Sequence, residues 1–476
     1  MSDEIVEPVG LFSWVRSALA RGTALSSPAG EFLAVVLLCP ILLVIAFWNG
    51  FPIIFYDTGA YILEGLGHVF VAERAPVYSL LLRYAGASHS LWYVAWLQAV
   101  LNAFVMTELA RAEAPEMPVW KLAAIGVALE ICTGLGWYVG QIEPDCMAAM
   151  VVISVYLLTF RAHNLGVLRT AAICGVAGLA AASHPANLVL EAVLVFLVAL
   201  VFLARRALPR LNIPRPALAA SLASLCLAVG LVLSANYDLT HKWFLSRSGA
   251  VFVFARMLQD GLVEQELADA CPASRYSLCA FKGRLPKRAD AWLWDGNSPF
   301  NKLNRFNGPT SEYQRIVVDS LVRHPGSNLL AAFKDTALQF VTFKTGDQIE
   351  PQEWILYSDL AHYIPRQMNA YMRARQQRGE LGFASLNRVH VSIAAASLVG
   401  LVFFLWRAAS RADWSAGVLP GFVLAALLSN AFICGTLSNP HDRYQSRLIW
   451  VPVFVVAISS LNWHVVALRK PVESGT

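Results

Sequence analysis

Ten blocks of apolar sequence, most of them close to the length of one membrane crossing, constrain this chain more than any other feature. They run Glu31–Trp48, Ser88–Leu109, Val119–Val139, Cys146–Phe160, Val167–Ala182, Leu188–Leu203, Ala217–Ala235, Val389–Trp406, Gly417–Gly435 and Leu448–Leu468. A hydrocarbon core of about 30 Å takes roughly 20 apolar residues to cross as a helix. Within it only helices and closed barrels satisfy their own backbone, and these runs are too long for barrel strands. The expected fold class is an all-α polytopic membrane protein of about ten transmembrane helices. Composition agrees, with 57% hydrophobic and 14% charged residues against about 25% charged in a soluble chain. Ala46-Phe47-Trp48-Asn49 offers no small-residue cleavage site, so the first block is expected to stay as an anchor.

Lysine and arginine give the orientation. With the N-terminus inside, the inner loops hold Arg16 and Arg21; Arg111 and Lys121; Arg161 and Arg169; Arg205, Arg206, Arg210 and Arg215; Arg407 and Arg411; and Arg469 and Lys470. The short outer loops hold only Arg74 and Arg83, then Arg443 and Arg447, with none in Gly140–Asp145 or Ser183–Asn187. That asymmetry follows the positive-inside rule, and a long basic segment does not disturb it. The expected location is a bacterial inner membrane, with both termini cytoplasmic.

The organisation then reads as a cytoplasmic segment (1–30), a seven-span module (31–237), a mainly helical periplasmic insertion (238–388), a three-span module (389–468) and a cytoplasmic tail (469–476). In the insertion, Ser311–Arg323 spaces Ile316, Val317, Leu321 and Val322 as an amphipathic helix stopped by His324-Pro325. Asn328–Phe343 is apolar but interrupted by Lys334 and Asp335, and is expected to lie at the membrane interface. Trp292, Trp294, Phe300, Phe306 and Trp354 are expected to stack on sugars or to anchor at headgroups. Six cysteines fall in or beside apolar spans, as packing residues do. Cys271 and Cys279 are the two in a soluble segment, where an oxidising periplasm favours a disulfide and the alternative is two free thiols.

Polar residues collect on the outer side. The first outer loop carries Asp57 among aromatics and Glu64 seven residues on, hence on the same helical face. A carboxylate at the interface is costly unless hydrated, paired or useful. Asp57 has two readings: the N-cap of a helix starting at Thr58, or a reactive acid. Glu143 and Asp145 flank Pro144 in the second outer loop, His184 precedes Pro185 in the third, and the last holds His441, Arg443 and Arg447. Each alone suits a polar turn. Together they form a carboxylate-plus-arginine mouth, in which arginine clamps phosphate and a carboxylate takes a proton from an attacking hydroxyl.

Three motifs resemble the GT-C superfamily of polyprenyl-phosphate-sugar-dependent glycosyltransferases, which includes protein O-mannosyltransferases and the lipid A aminoarabinose transferase. They are Tyr56-Asp57-Thr58-Gly59-Ala60-Tyr61 after the first span, Glu143-Pro144-Asp145 after the third, and His441-Asp442-Arg443-Tyr444 before the last. The resemblance implies a polyprenyl-phosphate-linked sugar donor, a glycan, lipid or protein acceptor, and Asp57 as general base or metal-site residue. Glu64, by its place on the same helical face, is expected to share the catalytic site with Asp57, while Glu143, Asp145, His184, His441, Arg443 and Arg447 are the expected substrate contacts. A cation, if one is used, is Mg²⁺ or Mn²⁺ on carboxylates; no nucleic-acid partner is expected. The chain departs from the family in following Asp57 with Thr58, where many members carry a second acid, and in placing its large insertion between spans seven and eight.

Two rival functions stand beside this one. An O-antigen-ligase-like or polymerase-like enzyme would rely on Arg323-His324, and a transporter or flippase would use Glu130 and Glu191 inside spans.

Overall fold

The computed structural model describes residues 23–207, 214–271, 273, 276–352 and 355–468. Arg16, Arg21, Arg210, Trp354, Arg469 and Lys470 lie outside the described residues, as do most of the expected N-terminal segment and all of the tail. Among the described residues the chain is helical, with two isolated bridges and no strand.

Among the described residues, seven helical stretches are long and apolar enough to cross a membrane. They are α1 (Pro28–Asn49), α4 (Leu91–Glu113), α8 (Pro185–Ala207), α9 (Ala219–Thr240), α13 (Ala384–Ser410), α14 (Trp414–Leu437), and α15 (Trp450–Leu468) with the helical turn Asp442–Ser446 before it. Two shorter helices, α2 (Tyr56–Gly67) and α3 (Pro76–Tyr84), lie between α1 and α4. The remaining expected blocks are helical too: α5 (Val119–Cys132), α6 (Met147–Phe160) and α7 (Val167–Ala182). The block Val119–Val139 is broken at Thr133-Gly134, where the Thr133 hydroxyl donates back to Leu129 O at 2.6 Å. A short helix, Leu135–Val139, resumes after the break.

Local signals set the ends. Ser27 caps α1, accepting from Gly30 N at 3.1 Å with Pro28 next to it, and Gly50 closes it at φ 83°. In lipid, packing rather than hydrophobicity joins helices, so small residues mark close crossings. A Cβ on Gly178 of α7 would lie 2.8 Å from Leu227 of α9.

Charges sort to opposite ends of the bundle. Arg169, at the start of α7, pairs with Glu31 at the start of α1 (2.6 Å) and Glu108 near the end of α4 (2.7 Å). Arg161 pairs with Glu113 at 2.7 Å. The loops holding Asp57, Asp145, His184 and Arg443 meet elsewhere, beyond the other ends of these helices.

The insertion carries α10 (Gly249–Gln259), α11 (Thr310–Arg323) and α12 (Pro325–Val341) around its own core. Phe254, Trp292, Phe300, Tyr313 and Ile316 fill that core. This corrects the expected role of Trp292, Phe300 and Phe306, which are packed inside, while Trp294 stays exposed. α11 ends at Arg323 as its His324-Pro325 stop implies, but only Ile316 and Val317 of its apolar set are buried. Cys271 and Cys279 are joined by a disulfide.

Candidate functional site: an acid–arginine mouth

Two loops, the one after α1 and the one before α6, are bonded together before any charged residue is placed. Ile53 N donates to Gly140 O and Ile142 N donates to Ile53 O, both at 2.9 Å. Gln98 of α4 holds the second loop from below, donating to Val139 O (2.9 Å) and Gln141 O (2.8 Å). Tyr78 of α3 donates in turn to Gln98 Oε1 at 2.6 Å. Gln376 of the insertion clasps the first loop, accepting from Ile54 N (3.0 Å) and donating to Ile54 O (2.6 Å).

This register sets where α2 starts. Phe55 N donates to Thr58 Oγ1 at 3.0 Å, and that hydroxyl donates to Ile142 O, also at 3.0 Å. Thr58 therefore takes the capping role, and α2 begins at Tyr56. The cap reading of Asp57 is corrected: its carboxylate lies in the first turn and makes an ion pair instead. Arg74 binds one oxygen, and Arg443 Nη2 lies 3.5 Å from the other.

Asp145 forms the second half of the cluster. Arg447 Nη1 donates to its Oδ1 at 2.7 Å, and Arg443 Nε lies 3.9 Å from its Oδ2. Arg447 is 0% exposed and also approaches Asn430 Oδ1 at 3.5 Å. Arg443 lies over the Phe55 ring at 4.3 Å and the Tyr444 ring at 5.1 Å, a cation–π seat that fixes its plane. Glu143, equally buried, lies 3.3 Å from Thr58 Oγ1. Burial first, then the nearby Asp57 charge, pushes the Glu143 carboxyl well above its ordinary range.

Not every expected residue converges. Glu64 is taken by Ser79 (2.7 Å) and Val71 N (3.0 Å), because α3 and the segment before it fold over that face of α2. Burial raises it to about 7 against the pull of the Ser79 bond. His441 faces away from the mouth, into a clasp with the insertion. Its Nδ1 lies 3.5 Å from Asp347 and its Nε2 3.8 Å from Asp290. Burial opposes its charge, yet the two carboxylates outweigh burial and raise it to about 9. Asp347 also accepts from Arg443 N at 3.3 Å, so the clasp seats the backbone of the mouth.

His184 lines a cavity of about 170 Å³ beside the mouth. Its Nδ1 accepts from Ala186 N at 3.1 Å. Burial, then the charge of Arg447, pushes the ring down to about 3. The neutral ring therefore carries its proton on Nε2. Arg74 and Arg247 share the cavity wall with apolar Leu188, Val189, Val232 and Phe244. Val189 is 38% exposed, so the cavity lies beside the outward face of α8.

The rivals' residues sit elsewhere. Arg323 pairs with Glu266 at 3.3 Å and His324 with Asp269 at 3.2 Å, within the insertion. Glu191 accepts from Ser224 at 2.5 Å. Neither oxygen of Glu130 has a hydrogen-bond partner among the described residues.

Sequence reading passed over Asp347, Asn430 and Thr58 as site residues and left Arg74 out of the expected substrate contacts. Arg74 had a signal, being the cation next after Asp57 in its own loop. Asn430 had a weaker one, a polar amide inside an otherwise apolar span. Among the described residues no three His, Cys, Asp or Glu side chains form a metal cage.

Fold and site together define a multi-pass, all-helical membrane protein with a buried acid–arginine mouth at one end of its bundle. No family model, curated protein or solved structure matches the chain.

Proposed function

We propose that this protein is an inverting, GT-C-like membrane glycosyltransferase. It moves a sugar from a polyprenyl-phosphate donor to an envelope glycan, lipid or protein acceptor. The proposal includes ten spans, counting α6, α7 and the broken α5 segment, with both termini cytoplasmic and the insertion periplasmic in a bacterial inner membrane. The observation that carries it is the position of Asp57 between Arg74 and Arg443, with Arg74 also lining a cavity whose wall is largely apolar.

Three features support the donor class. Arg74 Nε, Arg443 Nε and Asp145 Oδ2 are buried without a hydrogen-bond partner among the described residues, a capacity that phosphate oxygens and sugar hydroxyls fill. Arg74 and Arg247 give the cavity two cations, and the part of its wall formed by Leu188, Val189, Val232 and Phe244 is the kind a prenyl chain wets. Arg447, expected as a phosphate ligand, is spent on Asp145, so the phosphate falls to Arg443 and Arg74.

The chemistry follows from exchange of partners. An arriving phosphate draws the two guanidiniums from Asp57 and frees that carboxylate as a base. The acceptor oxygen attacks the anomeric carbon, its proton passes to Asp57, and the bond from that carbon to the phosphate oxygen breaks. The polyprenyl phosphate leaves on Arg443 and Arg74. Such a base contributes about 10²–10⁴-fold, and the preorganised arginines stabilise the leaving charge. No step runs through a divalent cation: the charged carboxylates Asp57 and Asp145 are paired with Arg74, Arg443 and Arg447, which does not fit a dication cage.

Binding of polyprenyl monophosphate to the protein in lipid nanodiscs tests the reading. Arg443→Ala and Arg74→Ala should each weaken it about tenfold or more, as loss of a charged hydrogen bond of about 1.5–3 kcal/mol requires. Wild-type affinity in both variants would remove the phosphate from this mouth.

A further inference from the structure

The insertion has an apolar surface that its own core leaves uncovered. Val322 at the end of α11 is exposed, as are Leu329, Leu330, Phe333, Leu338 and Val341 along α12, with Leu329 at 74% and Phe333 at 73%.

The neighbouring helix says what covers this face. α12 packs along α14 and crosses it so closely that a Cβ on Gly435 would lie 2.6 Å from Asp335 O. Phe432 and Leu428 precede Gly435 by three and seven residues, which puts all three on one face of α14. Both side chains are exposed, and α14 is one of the seven spans. The apolar stripe of α12 thus continues the lipid-facing surface of a membrane helix. The one acid in α12 is turned off the stripe, since Arg256 Nε donates to Asp335 at 2.9 Å inside the protein. Lys334 is left on the exposed side, and its long stem lets the ammonium reach headgroups while the stripe stays in lipid.

We propose that the end of α11 and all of α12 form a helical hairpin seated in the outer leaflet, with acyl chains as the occupant of the stripe. The proposal goes beyond glycosyl transfer and does not depend on it. It also gives Arg256 a second task. The same guanidinium donates to Asn439 Oδ1 at 3.1 Å, two residues before His441, so the seat in lipid is tied to the mouth.

Spin labels on the full-length chain in phospholipid nanodiscs test this, with Cys226→Ser removing an exposed native thiol. Labels at Leu329→Cys and Phe333→Cys should collide with oxygen several-fold more than with a nickel chelate. A label at Asn297→Cys, on the exposed surface of the insertion, should show the reverse. Nickel-dominated relaxation at positions 329 and 333 would place the stripe in water and overturn the proposal. Low collision rates with both reagents would mean protein cover, such as a second copy of this chain, and would overturn it equally. Leu330→Cys and Val341→Cys read the same stripe should either first variant fail to accumulate.

Discussion

Arg443 and Arg447 stand four residues apart and carry the same charge, yet their surroundings give them different work. Arg447 is fully enclosed and paired with Asp145, so Arg447→Ala would strand a buried carboxylate and should cost about 3–5 kcal/mol of stability. A thermal-unfolding midpoint that barely moves would contradict that role. Arg443 spans two acids and two rings. Arg443→Lys keeps the charge but loses the planar fork, so it should leave the fold intact while weakening polyprenyl monophosphate binding. His441 offers a pH test. Its folded pKa of about 9 lies above the ordinary 6.5, so its contribution is fully present below pH 6.5 and is lost as pH rises through 9. The two-and-a-half-unit gap is worth about 3 kcal/mol. Thermal midpoints between pH 6 and pH 10 should fall for the wild type, and His441→Gln should flatten that slope; parallel slopes would show that the clasp carries no charge. At this scale the sequence singled out Asp57, Asp145 and Arg443 because an ionisable residue beside an apolar span needs a reason. It misplaced Glu64 because helical spacing puts two acids on one face without revealing that α3 will cover one of them.

The helices were legible wherever an apolar run was long. α1, α4, α8, α9, α13 and α14 lie where hydropathy puts them, since lipid leaves the backbone no alternative to a helix. The break at Thr133-Gly134 was not legible. An apolar run that crosses a kink reads like one that does not, and the close packing at the break is tertiary: a Cβ on Gly134 would lie 2.9 Å from Thr345 Oγ1. Aromatic residues of the insertion were misread for a related reason. Composition shows that Trp292 and Phe300 need an apolar neighbour, but not whether that neighbour is a ligand or the insertion's own core. Close helix crossings make a prediction at this scale. Gly435→Ala drives a methyl toward the Asp335 carbonyl and should destabilise the α12–α14 contact by about 1–3 kcal/mol. An unchanged unfolding midpoint would show that the crossing is looser than described.

For the whole molecule, the cationic loops predict the side on which the mouth opens. Reporter fusions at Arg161, Arg205 and Arg411 should signal cytoplasm, and a fusion at Gly296 should signal periplasm; a cytoplasmic signal at Gly296 would invert the orientation. What no span or motif displayed was which residues pair inside the mouth, with Asp57 held between Arg74 of its own loop and Arg443 hundreds of residues away. Such contacts depend on the two-bond bridge from Ile53 to Gly140 and Ile142 and on the Asp347–His441 clasp. Neither leaves a trace in local pattern. The central claim is that Asp57 takes the acceptor's proton in that mouth. Transfer from a polyprenyl-phosphate sugar pool in membranes, measured for wild type and Asp57→Asn beside donor binding, tests it most directly. Asparagine keeps the size of the side chain but cannot accept the proton, so transfer should fall by about 10²–10⁴-fold with folding and donor binding retained. Full transfer by Asp57→Asn would contradict the account.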